Sequence, residues 1–116
     1  ASSLQTTISD YAVFLTAMLT AQATPPWSEM VLPHVQVTPG LSWGLGWGLE
    51  ETDGKRAIWH WGDNPGFKGF VMALTDSQEG VVMLANGDGA AHVWEPLVSR
   101  IFVGPHPLFA WLAQLD

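Results

Sequence analysis

KRAIWHWGDNPGFKGFVMALTDSQEGVVMLA, residues 55–85, reads as three strands joined by two turns, and it sets the architecture on either side of it. Lys55 to Gly62 forms the first run and, past the segment holding Pro65 and Gly66, Lys68 to Thr75 forms the second. The polar turn Asp76-Ser77-Gln78-Glu79 then leads to Gly80 to Ala85. Turn-forming residues between β-prone runs mark hairpins, and connections this short can only join antiparallel neighbours. In the second and third runs both parities are apolar: Phe70, Met72 and Leu74 against Val71 and Ala73, then Val82 and Leu84 against Val81 and Met83. Strands of that kind need cover on both faces.

Upstream, Leu41 to Glu50 alternates strictly, with Leu41, Trp43, Leu45, Trp47 and Leu49 on one parity and Gly44, Gly46 and Gly48 on the other. This predicts a fourth strand with one bulky face and one bare face, the bare face approached closely by a helix or another segment's backbone. Asp53-Gly54 supplies the turn into residue 55. The proline-rich, aperiodic stretch Trp27 to Gly40 reads as a loop with at most a short helical turn. Ile8, Tyr11, Ala12, Leu15, Met18 and Leu19 recur at three- and four-residue spacing and predict a helix from about Thr7 to Gln22. Thr7 with Asp10 forms a capping signal and Thr24-Pro25-Pro26 ends it. After Asn86-Gly87-Asp88-Gly89, the residues Val93, Trp94, Leu97, Val98, Ile101 and Phe102 return to helical spacing. Pro105 and Pro107 interrupt, and Leu108, Trp111, Leu112 and Leu115 suggest a last short helix. The expectation is an α+β fold: a four-stranded antiparallel sheet with N- and C-terminal helices, residues 1–116 forming a single unit.

Composition narrows the function. The 116 residues are 47% hydrophobic and 13% charged, enough for one core, and contain no cysteine. Disulfides, thiolate nucleophiles and cysteine metal sites are thereby excluded. A net charge of -7 opposes a nucleic-acid partner. No apolar run is long enough to span a bilayer and no signal peptide opens the sequence. His34, His92 and His106 show no ligand spacing, so no metal is expected. The non-methionine start at Ala1, with a helix a few residues on, suggests a processed or excised chain.

The chemistry concentrates in Trp59-His60-Trp61-Gly62-Asp63-Asn64-Pro65-Gly66-Phe67. Here the sequence resembles the serine β-lactamase-like hydrolases, which include class C β-lactamases, penicillin-binding proteins, DD-peptidases and related esterases. Their third motif, K-T-G or H-x-G, stands at this place on the sheet and is commonly followed by Pro-Gly-Phe or Pro-Gly-Tyr. Thr6-Thr7 with Asp10, Gly44-Leu45-Gly46-Trp47-Gly48, Gly69-Phe70-Val71 and Val81-Val82-Met83-Leu84-Ala85-Asn86-Gly87 match the family's C-terminal portion in order, a partial β-lactamase/transpeptidase-like fold. The resemblance implies that His60 takes the place of the motif's basic residue. It also implies that Gly62 lets substrate backbone approach, that the backbone N–H of Asp63 is the second oxyanion donor, and that Trp61 and Asn64 line the substrate. Trp61 stands where threonine, serine or glycine is usual, and Asp63 brings a carboxylate near a site meant for an anion. No serine is followed three residues later by lysine, so the family's S-x-x-K nucleophile is absent, as is its Y-x-N motif.

The resemblance therefore implies a C-terminal segment of a larger serine-hydrolase domain, not competent alone, whose substrate is a β-lactam, a D-amino-acyl peptide or an ester. No cofactor is implied. The family is often periplasmic or secreted, which leaves the compartment open. Because the doubly apolar strands would be left partly wet, a partner is expected: an N-terminal fragment of the same parent protein, or a second copy of this chain. Seven tryptophans suggest a second reading, a carbohydrate-binding module, and the missing nucleophile a third, a non-catalytic interaction or pseudoenzyme piece. Glu50, Glu51 and Asp53 flank a turn and read as solvated charges.

Overall fold

The computed structural model describes residues 3–115. It is an α+β fold in three layers, and its antiparallel sheet has six strands where the sequence predicted four. Helix α1 spans Ile8–Ala21, capped by Thr7, whose Oγ1 accepts the Asp10 N–H at 3.1 Å. A single turn, α2 (Trp27–Met30), lies within the segment read as a loop. The strands β1 (Val35–Thr38), β2 (Leu41–Trp43), β3 (Gly48–Thr52), β4 (Lys55–Asn64), β5 (Phe67–Leu74) and β6 (Glu79–Ala85) pair in chain order as one meander. A 3₁₀ turn at Asp88–Ala90 leads into α3 (Ala91–Ile101), followed by α4 (Pro107–Leu112).

Both extra strands come from upstream of residue 55. The alternating run Leu41 to Glu50 is a hairpin, with Trp43 opposite Gly48. The Gly44 N–H donates to the Trp47 carbonyl at 2.8 Å, and Gly46, at φ +77, reverses the chain. Alternation cannot distinguish one long strand from two short ones when the glycines that give the bare face also supply the turn. The bulky parity is accordingly split: Leu41 and Trp43 join the core beneath α3 and α4, while Trp47 and Leu49 join the core beneath α1. The expected close approach holds at two glycines. A Cβ on Gly44 would run into the Met30 carbonyl, and one on Gly48 into the Trp59 indole. The other added strand, β1, is four residues between prolines, too short to declare a period, and exists because β2 offers it an edge.

Two cores sandwich the sheet. Leu15, Met18 and Leu19 of α1 meet Trp47, Leu49, Ile58, Val71 and Ala73. Trp94 and Val98 of α3 and Phe102 at its C-cap, with Leu108 and Phe109 of α4, meet Leu41, Ala57, Trp59, Phe70 and Met72 on the opposite face. The doubly apolar β5 is thus covered on both sides, where the sequence analysis expected it to be left wet. In the sheet, β6 is an edge strand with a neighbour on one side only and carries a half-exposed Leu84.

Glu50 is not a solvated turn residue. It is 2% exposed, its Oε1 lies 2.7 Å from His106 Nδ1, and its Oε2 accepts the Leu108 N–H at 3.1 Å. His106 Nε2 lies 2.6 Å from the Phe102 carbonyl. This network ties the start of α4 to the middle of the sheet. Burial raises the Glu50 carboxyl above its usual range, and His106 and the Leu108 amide partly oppose the rise.

Candidate functional site

Strand β4 outruns its neighbour. Its last partner on β3 is Gly48, opposite Trp59, whereas on β5 pairing continues to Asn64 opposite Phe67. From His60 to Asn64, β4 therefore has an open edge. Which backbone groups face that edge follows from the ladder. The Thr75 N–H donates to the Arg56 carbonyl at 2.9 Å, so Arg56, Ile58, His60, Gly62 and Asn64 address β5. Antiparallel pairing alternates, which turns the N–H and C=O of Trp61 and Asp63 outward.

His60 uses the first of these positions. Its Nδ1 lies 2.9 Å from both the backbone N and O of Trp61, accepting from the N–H in one tautomer and donating to the carbonyl in the other. The ring is thereby laid along the edge, 5.3 Å from the Trp61 ring and 5.9 Å from that of Trp43, centroid to centroid. The Asp63 N–H is left pointing into the open space, with no partner among the described residues. Gly62 pairs with Gly69, so no side chain thickens the sheet there.

The five residues singled out from the sequence are contiguous, and the pleat divides them. His60, Gly62 and Asn64 belong to the α1 face, Trp61 and Asp63 to the face of α3 and α4. What unites them is the edge. On the α1 side a cavity of about 300 Å³ is lined by His60, Gly62, Gly69, Val82 and Tyr11, whose hydroxyl is raised above its usual range by burial. On the other side Trp61, Gly62 and Asp63 open into a cavity of about 360 Å³ between β4, α3 and α4. Asn64 is exposed at the tip, its carbonyl 3.3 Å from Lys68 Nζ.

Lys68 and Asp88 escaped the sequence reading. Lys68, paired with Asp63 across the β4–β5 turn, forms an ion pair with the Asp63 carboxylate and lies 3.4 Å from Asp88 Oδ1. The Gly66 N–H donates to the same Asp88 oxygen at 2.7 Å, and this bond, with Lys68, holds the Asp88 carboxyl below its usual range. The carboxylates, Asp63 foremost, raise Lys68 in turn. The turn is thus pinned to the loop before α3. Counting four residues of turn from Asn64 to Phe67 would have set Asp63 opposite Lys68; nothing in the sequence points to Asp88.

Six of the seven tryptophans are at least partly buried. Trp47, Trp59 and Trp94 are core, while Trp43, Trp61 and Trp111 pack on one another with centroids 5.7–6.2 Å apart, two of the three contacts edge-on. That is a mutually packed cluster, not a flat row of exposed indoles for stacking on sugar rings.

A family model described as Beta-lactamase matches residues 1–100, and the chain belongs to that family. Among solved structures it is similar to the octameric penicillin-binding protein homologue from Pyrococcus abyssi, with a TM-score of 0.71 and 17% identity, covering 90% of this chain and 27% of that one. The likeness is one of fold, and the chain spans about a quarter of that protein's length. No curated protein sequence matches it. No described helix is long and apolar enough to cross a membrane.

Proposed function

We propose that this chain supplies the strand side of an acyl-enzyme hydrolase site and acts as the C-terminal segment of a larger serine-hydrolase domain. The observation that carries the reading is the open edge of β4, where the ladder leaves the Asp63 N–H unpaired and aimed outward beside His60. In this reading a substrate carbonyl lies against that edge and Asp63 N–H stabilises the charge developing on its oxygen. Gly62 admits the substrate backbone, Trp61 and Asn64 flank it, and the His60 ring, steadied through Nδ1, presents Nε2 to the reacting groups. The nucleophilic serine and its lysine come from an S-x-x-K segment, carried by another part of the parent protein or by a companion chain. The pairing partner meets the free edge of β6, either as that segment or as a second copy; the octameric state of the Pyrococcus homologue favours self-association.

The test is labelling. The protein isolated with its companions is treated with a β-lactam or fluorophosphonate probe and analysed by mass spectrometry. An adduct on an S-x-x-K serine that falls at least tenfold in His60→Ala is the expected result. No adduct and no companion polypeptide would leave the non-catalytic interaction role.

A further inference from the structure

Resting on that reading, we propose that the cleft beside β4 takes an uncharged or cationic ester or amide bearing an aromatic group, and discriminates against ligands that carry a carboxylate. The cavity on the α3 and α4 side has a volume of about 360 Å³, within the range of small-molecule sites, and Trp61, Trp94 and Phe109 form its apolar walls. It opens directly onto Gly62 and Asp63, so a group attached near a carbonyl lying on the β4 edge would enter it.

Charge decides what that group can be. Among the described residues Lys68 is the only lysine or arginine lining the cavity, with the His92 imidazole the one other basic side chain there. Its ammonium, on a side chain 12% exposed, is already shared between Asp63 and Asp88. Glu95 adds a further carboxylate to the rim and forms no ion pair among the described residues. The local balance is one lysine against three carboxylates in a chain of net charge -7. A ligand carboxylate would enter an anionic field whose one lysine is already shared, and on the opposite side of the edge His60 Nδ1 is engaged by Trp61. A ligand ammonium gains from the same field, and the half-buried Trp61 indole in the lining offers it a cation–π contact.

Three ligands of one skeleton test this by calorimetry on the 116-residue chain at low ionic strength: N-acetylphenylalanine methyl ester, phenylalanine amide and N-acetylphenylalanine. The ester and the amide should bind at least tenfold more tightly than the free acid. Asp63→Asn, which returns part of the Lys68 charge, should narrow that gap at least threefold, and Trp61→Ala should weaken the ester and the amide. Equal or tighter binding of the acid overturns the proposal. So does a gap indifferent to Asp63→Asn, or no binding of any of the three by a chain whose near-ultraviolet circular dichroism shows packed tryptophans. Binding needs no turnover, so the charge order can hold where no acyl adduct forms, which would sink the hydrolase reading alone. An adduct with no charge order would sink this inference alone.

Discussion

Glu50 and His106 show how a pair of residues that reads as surface chemistry becomes internal structure. Both His106 ring nitrogens face oxygens, those of the Glu50 carboxyl and the Phe102 carbonyl, an arrangement that a protonated Glu50 completes by donating to Nδ1. Glu50 is raised by burial, so it binds its proton more tightly folded than unfolded. The stability it gives is full below its ordinary value of 4.5 and is lost as pH rises through the raised one. Glu50→Gln should keep all three hydrogen bonds, the amide donating to a neutral His106 and accepting from Leu108, while removing the titration. Denaturant midpoints of the two proteins should therefore diverge above pH 4.5 in favour of the variant. Glu50→Ala strands the Leu108 N–H and one His106 nitrogen and should cost about 2–3 kcal/mol. If the variant and the parent share one pH profile, the buried proton is not where the geometry sets it.

Among the elements, the β2–β3 hairpin separates two kinds of glycine requirement. Gly46 has φ +77 and open space around it, so Gly46→Ala should lose only the left-handed backbone preference, about 1 kcal/mol. Gly44→Ala must displace the Met30 carbonyl, which belongs to a segment held by the Leu45 N–H at 3.1 Å, and should lose at least twice as much. Urea unfolding of the two variants decides it, and equal losses would mean that α2 yields freely. At α1, Thr7→Ala removes the acceptor of the Asp10 N–H and should cost about 1 kcal/mol by the same measurement. This cap was legible because capping is local, two residues three apart. The hairpin was not, because strand and turn both asked for glycine there and only the pairing of Trp43 with Gly48 tells them apart.

For the whole molecule, the free edge of β6 and the stripe Val93, Leu97 and Ile101 on the outer side of α3, each 43–51% exposed, are apolar surface without cover among the described residues. Sedimentation of the isolated chain should therefore depend on concentration in the micromolar range, and Leu84→Lys on β6 should shift it toward monomer, as charge does on sheet edges. A monodisperse monomer at all concentrations would show that the edge needs no partner. Helix α1, the strands between residues 55 and 85 and the two C-terminal helices were readable from sequence in their order, because side-chain periodicity and turn chemistry act between near neighbours, whereas β1 and the splitting of residues 41–50 into two strands were not. Also readable were the hairpins around residues 63–66 and 76–79 and the demand of β5 for cover on both faces. Contacts between residues far apart in the chain left no such trace. The open edge of β4 depends on where β3 stops, the division of residues 60–64 between two faces depends on the pleat, and the sharing of Lys68 between two carboxylates depends on Asp88 arriving from 25 positions beyond Asp63. Sequence alone singled out the stretch His60–Asn64, because its residue types sit side by side in the chain; only the tertiary structure decided which of its backbone groups reach the open edge and with what charge around them, because that depends on strands and loops distant in sequence.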